Sequence, residues 1–431
     1  MTWPGAAPGA VVAPTLRLNG LWGEGGLRRT ALPGGLVVLT RERPETATVS
    51  VMLGVRAGSR DEDDATSGGS HWLEHAHFLG TARRPSNQAL SAPVQNAGGQ
   101  MNASTSFEWT NYYNTVPAEE FDLALDVLAD QLLNSTFPRA AFDRERQVVV
   151  EEVKRAYDDP ASRATREFLK LVFRVSPVRR EVLGTPESVG AIPIETILAY
   201  KDRLYVAGNL ALAAVGNLQH DAAVAKIEAA FGALPRGPRH ARPRTPEPVQ
   251  TAPRRLELGD GGRLAEVRLG WPAPGRDAPD WPAMVILQDV LGATGRRLTE
   301  EIRDRRALAT AVGPSYSVFS DAGAFSVGAT TQPGNVEPVL GLALAEVRRL
   351  RDGQVTDADV GTSLRAIAGR RALSDEFNQA QAGKAVAEVA GTLDSAAEFL
   401  AQLRPVAAAD VQRVARTYLD PDAYTLVVVR A

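Results

Sequence analysis

His71-Trp72-Leu73-Glu74-His75-Ala76-His77-Phe78-Leu79-Gly80-Thr81 carries three of the five histidines in the chain. The spacing predicts a short helix over 67–80, with Ser67 or Ser70 able to cap its first N–H groups and Gly80 able to end it. On a helix, positions i and i+4 share a face, so His71 and His75 can aim imidazole nitrogens at one ion about 2 Å from each, with Glu74 beside them. Zinc lowers the pKa of a bound water toward neutrality, and a carboxylate in hydrogen-bonding reach can take its proton and pass it to a leaving amine. The bland alternative is a pair of surface or core histidines next to a solvated charge. With histidine this scarce, the spacing arises by accident in on the order of a few per thousand such chains.

Two imidazoles alone bind zinc weakly, so a third ligand must come from elsewhere in the chain. The sequence has no cysteine, which excludes thiolate ligands, disulfides and cysteine nucleophiles and leaves His, Asp or Glu as donors. The natural source is the acidic run Asp143 to Glu152, within a periodic helical pattern from Arg139 to Tyr157 that Asp158-Asp159-Pro160 ends. Glu145 and Glu152 are seven apart and project from one face, whereas Glu151 is rotated by about 100° from its neighbour. That geometry does not choose between the carboxylates, and ordinary solvated acids are the alternative.

The 431 residues exceed what one hydrophobic core usually serves, so two domains of about 200 residues each are expected. Six prolines between Leu234 and Pro253 read as a linker. The expected division is a metal-binding domain over 1–233, a linker over 234–253, and a homologous domain without a metal site over 254–431. Internal echoes agree: Thr115-Val116-Pro117 before an apolar-periodic helix returns as Thr331-Gln332-Pro333, and Tyr205 before an apolar strand returns as Tyr418. Strands mixed with helices, without regular βαβ alternation or a glycine-rich phosphate loop, favour an α+β fold. A formal net charge of −3 argues against nucleic acid as a partner. The opening segment, Met1 to Pro14, has no apolar run long enough for a signal core or membrane span, so no membrane association and a cytoplasmic location are expected.

The run His71 to Thr81 resembles the zinc helix of the pitrilysin, insulysin and mitochondrial processing peptidase family. Gly98-Gly99-Gln100-Met101-Asn102-Ala103, with Thr105, Glu108, Thr110 and Tyr113, is similar to that family's active-site edge strand, and Glu145 to Glu152 to its third-ligand helix. The family's ligand glutamate follows the second histidine after roughly 76 residues; here 76 lie between His75 and Glu152 (152 − 75 − 1). The resemblance therefore implies a zinc endopeptidase with His71, His75 and Glu152 as ligands, Glu74 as base, and Glu145 supporting the ligands from behind. It also implies two similar domains, each an antiparallel sheet with packed helices, enclosing a chamber for peptides or unfolded segments. An extended peptide would add along Gly99 to Ser104, at Asn102 and Ala103.

The sequence departs from the family's pattern at two places. Family members that complete the site from the second half carry an Arg-x6-Tyr pair. Arg303 is present, but Thr310 stands where tyrosine is expected, and a threonine hydroxyl is too short to reach a bound carbonyl as a phenol does. The expectation is a dimer in which a paralogous partner supplies the Arg-Tyr pair. His77 replaces the usual apolar residue and, six positions after His71, is read as packing or solvent-facing. The rival readings are a non-catalytic structural or binding subunit that has kept the fold, for which Thr310 speaks, and a zinc hydrolase acting on other carbonyl compounds.

Overall fold

Residues 26–259, 263–292, 297–390 and 396–430 are described by the computed structural model, so the segment Met1 to Pro14 lies outside the described residues. Strands β1 (Arg28–Ala31), β2 (Val37–Glu42), β3 (Thr48–Val55), β4 (Gln100–Thr105), β5 (Thr110–Pro117) and β6 (Leu210–Gly216) make one sheet, in the order β1-β2-β6-β3-β5-β4. Strands β7 (Arg254–Gly259), β8 (Ala265–Ala273), β9 (Ala309–Val318), β10 (Gly323–Thr331) and β11 (Thr425–Arg430) make the other, in the order β7-β11-β8-β10-β9. With β1 set aside, the two orders are identical when each strand is matched by its place in the chain. The echoes fall at similar points of this plan: Thr115 lies two residues before the end of β5 and Thr331 ends β10, while Tyr205 and Tyr418 lie in the approaches to β6 and β11.

The helices of the first half are α1 (Gly69–Ala76), α2 (Asn87–Asn96), α3 (Phe121–Leu133), α4 (Arg139–Asp158), α5 (Pro160–Val172), α6 (Pro186–Ala191), α7 (Ile194–Leu204) and α8 (His220–Phe231). Those of the second are α9 (Trp281–Gly292), α10 (Val336–Arg351), α11 (Asp357–Asp375), α12 (Asn378–Ala390), α13 (Ala396–Leu403) and α14 (Ala408–Tyr418). The fold is α+β, as the mixed pattern of strands and helices implies. Neither sheet is purely antiparallel, however: β2 runs parallel to β6, and β7 to β11. The last strand of each half returns, after a long helical crossover, to a slot beside the half's first long strand. A crossover of that length is what parallel pairing requires. No helix among the described residues is long and apolar enough to cross a membrane.

Successive residues of a strand face opposite sides, and here both sides are covered. Val49, Val51, Leu53 and Val55 of β3 join the core shared with α1, α3, α4 and α8, while Met52 faces the other way. What covers that second face comes from the other half of the chain. Ala382, Ala385 and Val386 of α12 pack on Leu39, Met52, Ala211, Ala213 and Val215 of the first sheet. Reciprocally, Phe168, Leu169 and Val172 of α5 pack with Ala324, Val427 and Val429 of the second. Both contacts need a glycine: a Cβ on Gly54 would sit 2.0 Å from Val386 Cγ1, and one on Gly270 would sit 2.6 Å from the Phe168 ring. A cut at residue 233 or 254 thus divides the strands but not the packing.

Buried charges reinforce the seam between the halves. Arg60, with its side chain 3% exposed, pairs with Glu108 at 2.7 Å and with Asp321 of the second half at 2.7 Å. Ser320 donates to Glu108 through its hydroxyl (2.6 Å) and its backbone N–H (3.0 Å). The proline-rich stretch is irregular, as expected, but it is tied down rather than a free spacer. Arg242 grips Asp61 at 2.6–2.7 Å, and Glu247 accepts from the backbone N–H groups of Arg174 and Val175 at 2.8 and 2.9 Å.

The helix exchange predicts that a cavity made in the first half destabilises the second. Phe168→Ala should cost about 3–5 kcal/mol, the usual range for deleting a buried aromatic ring. In hydrogen exchange the loss should appear as faster exchange in β8 and β11, not only in α5.

Candidate metal centre

Helix α1 starts at Gly68, whose φ of 85° is in the left-handed region. Neither serine caps it. The carboxylate of Glu62 accepts from the N–H groups of Gly68 (2.7 Å) and Ser70 (2.8 Å), and the Ser70 hydroxyl instead meets Tyr200 at 2.7 Å. Burial pushes Glu62 up to about 7 against the pull of those hydrogen bonds. The helix stops at Ala76, earlier than Gly80, which turns the chain at φ 119° several residues further on. Trp72 and Leu73 are fully buried. The Trp72 ring stacks on Phe142 of α4 with centroids 3.8 Å apart and planes 13° apart. Arg146 lies over Trp72 and Phe142, 5.8 and 5.3 Å from the ring centroids, and donates to the Val189 and Gly190 carbonyls. This packing sets α1 against α4 in one register.

Across that contact, three donors converge. Nε2 of His71 lies 3.8 Å from one carboxylate oxygen of Glu152, and Nε2 of His75 lies 3.4 Å from the other. Donor atoms from all three residues lie within 4.8 Å of one another. Ligands about 2.0–2.1 Å from a tetrahedral ion stand about 3.3 Å apart, so the spacing and the donor set, two imidazoles and a carboxylate, suit a metal with its fourth position open. Nδ1 of His75 meets Glu145 at 2.9 Å, which turns the opposite nitrogen toward the other donors. Nδ1 of His71 is buried without a hydrogen-bond partner among the described residues. Glu151 points away, as its place on the helix dictates, and pairs with Lys154 at 2.7 Å.

The charges differ sharply between the two imidazoles. Burial, and then the neighbouring His75, lower His71 to about 4. Burial also disfavours charge on His75, but its hydrogen bonds to Glu145 and Glu152 outweigh that and raise it to about 9. Hydrogen bonding to His75 holds Glu152 below its ordinary value. Glu74 is raised, chiefly by burial, although the Thr105 hydroxyl donates to it.

Asn102 and Ala103 sit on β4, the outermost strand of the first sheet and in contact with α1. Asn102 Oδ1 accepts from the Ala103 N–H at 2.9 Å. Arg303 is not brought to the cluster among the described residues: it lies in the turn Thr299–Asp304 of the second half and bonds Asp304 at 2.7 Å. Thr310 lies on the edge strand β9 and donates to the Thr330 carbonyl at 3.2 Å. Tyr316 donates to the Pro274 carbonyl at 2.5 Å, so its phenol is committed within its own half. His77 is a packing residue, with its ring 5.3–5.4 Å from those of Tyr112, Phe137 and Tyr205, and burial lowers it to about 3. Sequence reasoning missed Glu62 as the cap, Thr105 as the partner of Glu74, and the Trp72–Phe142 stack. Only Thr105 carried a signal, as part of the edge-strand run, and nothing local linked it to Glu74.

Residues 37–186 match the family model described as insulinase, peptidase family M16, and residues 191–367 match the one described as peptidase M16 inactive domain. An uncharacterized zinc protease of Streptomyces coelicolor is 34% identical over 425 residues, covering 95% of this chain and 91% of that protein. A probable mitochondrial-processing peptidase subunit beta of Arabidopsis thaliana is 29% identical, over 91% of this chain and 76% of that protein. Among solved structures, a protease from Helicobacter pylori superposes with a TM-score of 0.88 at 22% identity, over 94% of this chain and 100% of that one. A putative M16-like peptidase from Alicyclobacillus acidocaldarius gives 0.83 at 22% identity, over 94% and 98%.

The centre makes two measurable demands on metal binding. Glu145→Gln should weaken divalent-metal affinity by about 10- to 100-fold, measured by competition with a chelator. In the metal-free chain His75 holds a proton up to about 9 while His71 is neutral down to about 4. Loading must therefore displace the His75 proton, and affinity should fall as the pH drops from 8 to 6.

Proposed function

This chain belongs to the insulinase (M16) family of peptidases, and from that premise we propose that it is a zinc-dependent endopeptidase cutting peptides or unfolded segments. The observation that carries the proposal is the convergence of His71, His75 and Glu152 within 4.8 Å, with Glu74 on the same short helix as both histidines. His71, His75 and Glu152 would hold a zinc ion, which would supply Lewis acidity toward a peptide carbonyl and bring the pKa of water toward neutrality. Glu74 takes the proton of that water and hands it to the leaving amine. Its burial suits the task, because a carboxylate raised above its ordinary value is the stronger base. Thr105 holds the Glu74 carboxylate in one orientation, and Glu145 does the same for the His75 ring.

The outer edge of β4 offers its backbone to an extended peptide, which would pair with it as an additional strand. Backbone pairing of this kind is indifferent to side chains, and it replaces the contact that Asn102 now makes with the Ala103 N–H. For the second half we propose that a paralogous partner supplies the Arg-Tyr pair, since Thr310 is bonded to its own sheet and Tyr316 to Pro274. The same Thr310 favours the second reading, a non-catalytic subunit that keeps the fold as a binding element.

The test is a comparison of wild type with Glu74→Gln, alone and with a paralogous partner, on a mixed peptide pool while bound metal is measured. The expected result is equal zinc in both proteins, with cleavage reduced by about 10²- to 10⁴-fold in the variant. Equal cleavage by the two removes Glu74 as the base. Full activity of the chain alone removes the partner, and zinc binding without cleavage under either condition favours the non-catalytic reading.

A further inference from the structure

A cavity of about 420 Å³ opens at the seam between the two halves, with its wall reached by helix α4 one turn beyond Glu152. Its position follows from two elements of the centre. Ala156, in its wall, is four residues beyond Glu152 on the same face of α4 and so about 6 Å along the helix axis. Phe107, also in the wall, follows Thr105, the partner of Glu74, by two residues. Leu169 and Leu183 contribute apolar wall, and Arg268 reaches in from the second sheet.

The remaining polar lining is mostly cationic. Arg166 is neutralised in place: it lies over the Tyr157 ring at 3.7 Å and pairs with Glu181 at 3.1 Å and Glu167 at 3.3 Å. The other three guanidiniums have no such match. Arg179 donates to the Arg174 carbonyl at 2.7 Å, with no carboxylate bonded to it among the described residues. Arg180 is 3.5 Å from Asp64, a fully exposed acid. Arg268 donates to Thr165 and the Val267 carbonyl, with Glu266 only at 3.5 Å. Each keeps spare N–H groups around an apolar floor, and a guanidinium fork is matched by the two oxygens of a carboxylate.

We propose that this pocket selects an acidic side chain of the peptide substrate. The inference rests on the endopeptidase reading. Arg179, Arg180 and Arg268 bind the carboxylate, while the apolar wall takes the methylene stem. A basic side chain at that position meets like charge and is disfavoured.

The zinc-loaded full chain, with its partner if cleavage requires one, is given a peptide pool and the cut sites are mapped by mass spectrometry. The preferred peptide is then made with Glu or Gln at the enriched position and with a free or amidated C-terminus. Its affinity for the zinc-loaded Glu74→Gln protein is measured by fluorescence anisotropy. Replacing Glu with Gln should lower both kcat/KM and affinity by roughly 10- to 100-fold, the worth of hydrogen bonds to a charged group. Arg179→Gln and Arg268→Gln should each shrink that difference, and an undiminished preference for Glu in Arg179→Gln overturns the proposal. Arg179 is exposed and bonded to one backbone carbonyl, so its variant remains informative even if Arg268→Gln fails to fold. Cleavage without preference for Glu overturns this proposal alone, as does a preference that follows the free C-terminus. Failure to bind or cut any peptide overturns the endopeptidase reading and this one with it.

Discussion

The centre depends on the contact between two helices, one of eight residues and one of twenty. A helix as short as α1 has little stability of its own, because nucleation costs more than a few hydrogen bonds return. Its geometry is imposed from outside. Glu62 satisfies its first N–H groups, Trp72 is stacked on Phe142, and Leu73 is sunk in the core. Since α4 carries Phe142, Glu145 and Glu152 on one side, the same packing that buries Trp72 also brings Glu145 to His75 and Glu152 to both imidazoles. Packing and ligand geometry are therefore one constraint.

The duplicated plan has a consequence for how the halves behave. Each sheet buries its second face under a helix from the other half, α12 on the first and α5 on the second. Buried ion pairs join the halves as well, with Arg60 held between Glu108 and Asp321. Stripping one partner from such a network leaves an unpaired buried charge, which is far costlier than losing a surface pair. The two halves are thus bound by apolar and charged contacts near the edge strand on which a substrate is proposed to lie, and the arginine-lined cavity sits on that same seam.

Electrostatics separates residues that the motif makes look alike. His71 and His75 are one turn apart on the same helix, yet burial drives one down while two carboxylates drive the other up. His77, two positions further on, is enclosed by aromatic rings and, like His71, is driven down by burial. Residue type and spacing do not carry these differences, which come from what the rest of the chain places alongside each ring.

Much of the centre was legible because it is local. The i, i+4 spacing of His71 and His75 and the seven-residue spacing of Glu145 and Glu152 are helix periodicities, and a helix converts spacing directly into a shared face. The repeated Thr-x-Pro and tyrosine signals likewise mark chain positions that the two sheets use similarly. Glu152 was joined to the histidines only through the 76-residue spacing of the family resemblance, and the other contacts between residues distant along the chain were left open. The sequence offered Ser67 or Ser70 as the cap where Glu62 serves, gave no hint that Thr105 meets Glu74, and did not reveal that α5 and α12 each pack on the sheet of the other half. Periodicity reports that a helix has an apolar face but not which sheet that face meets. Hydrophobic burial is non-directional, so only the packed chain decides the partner.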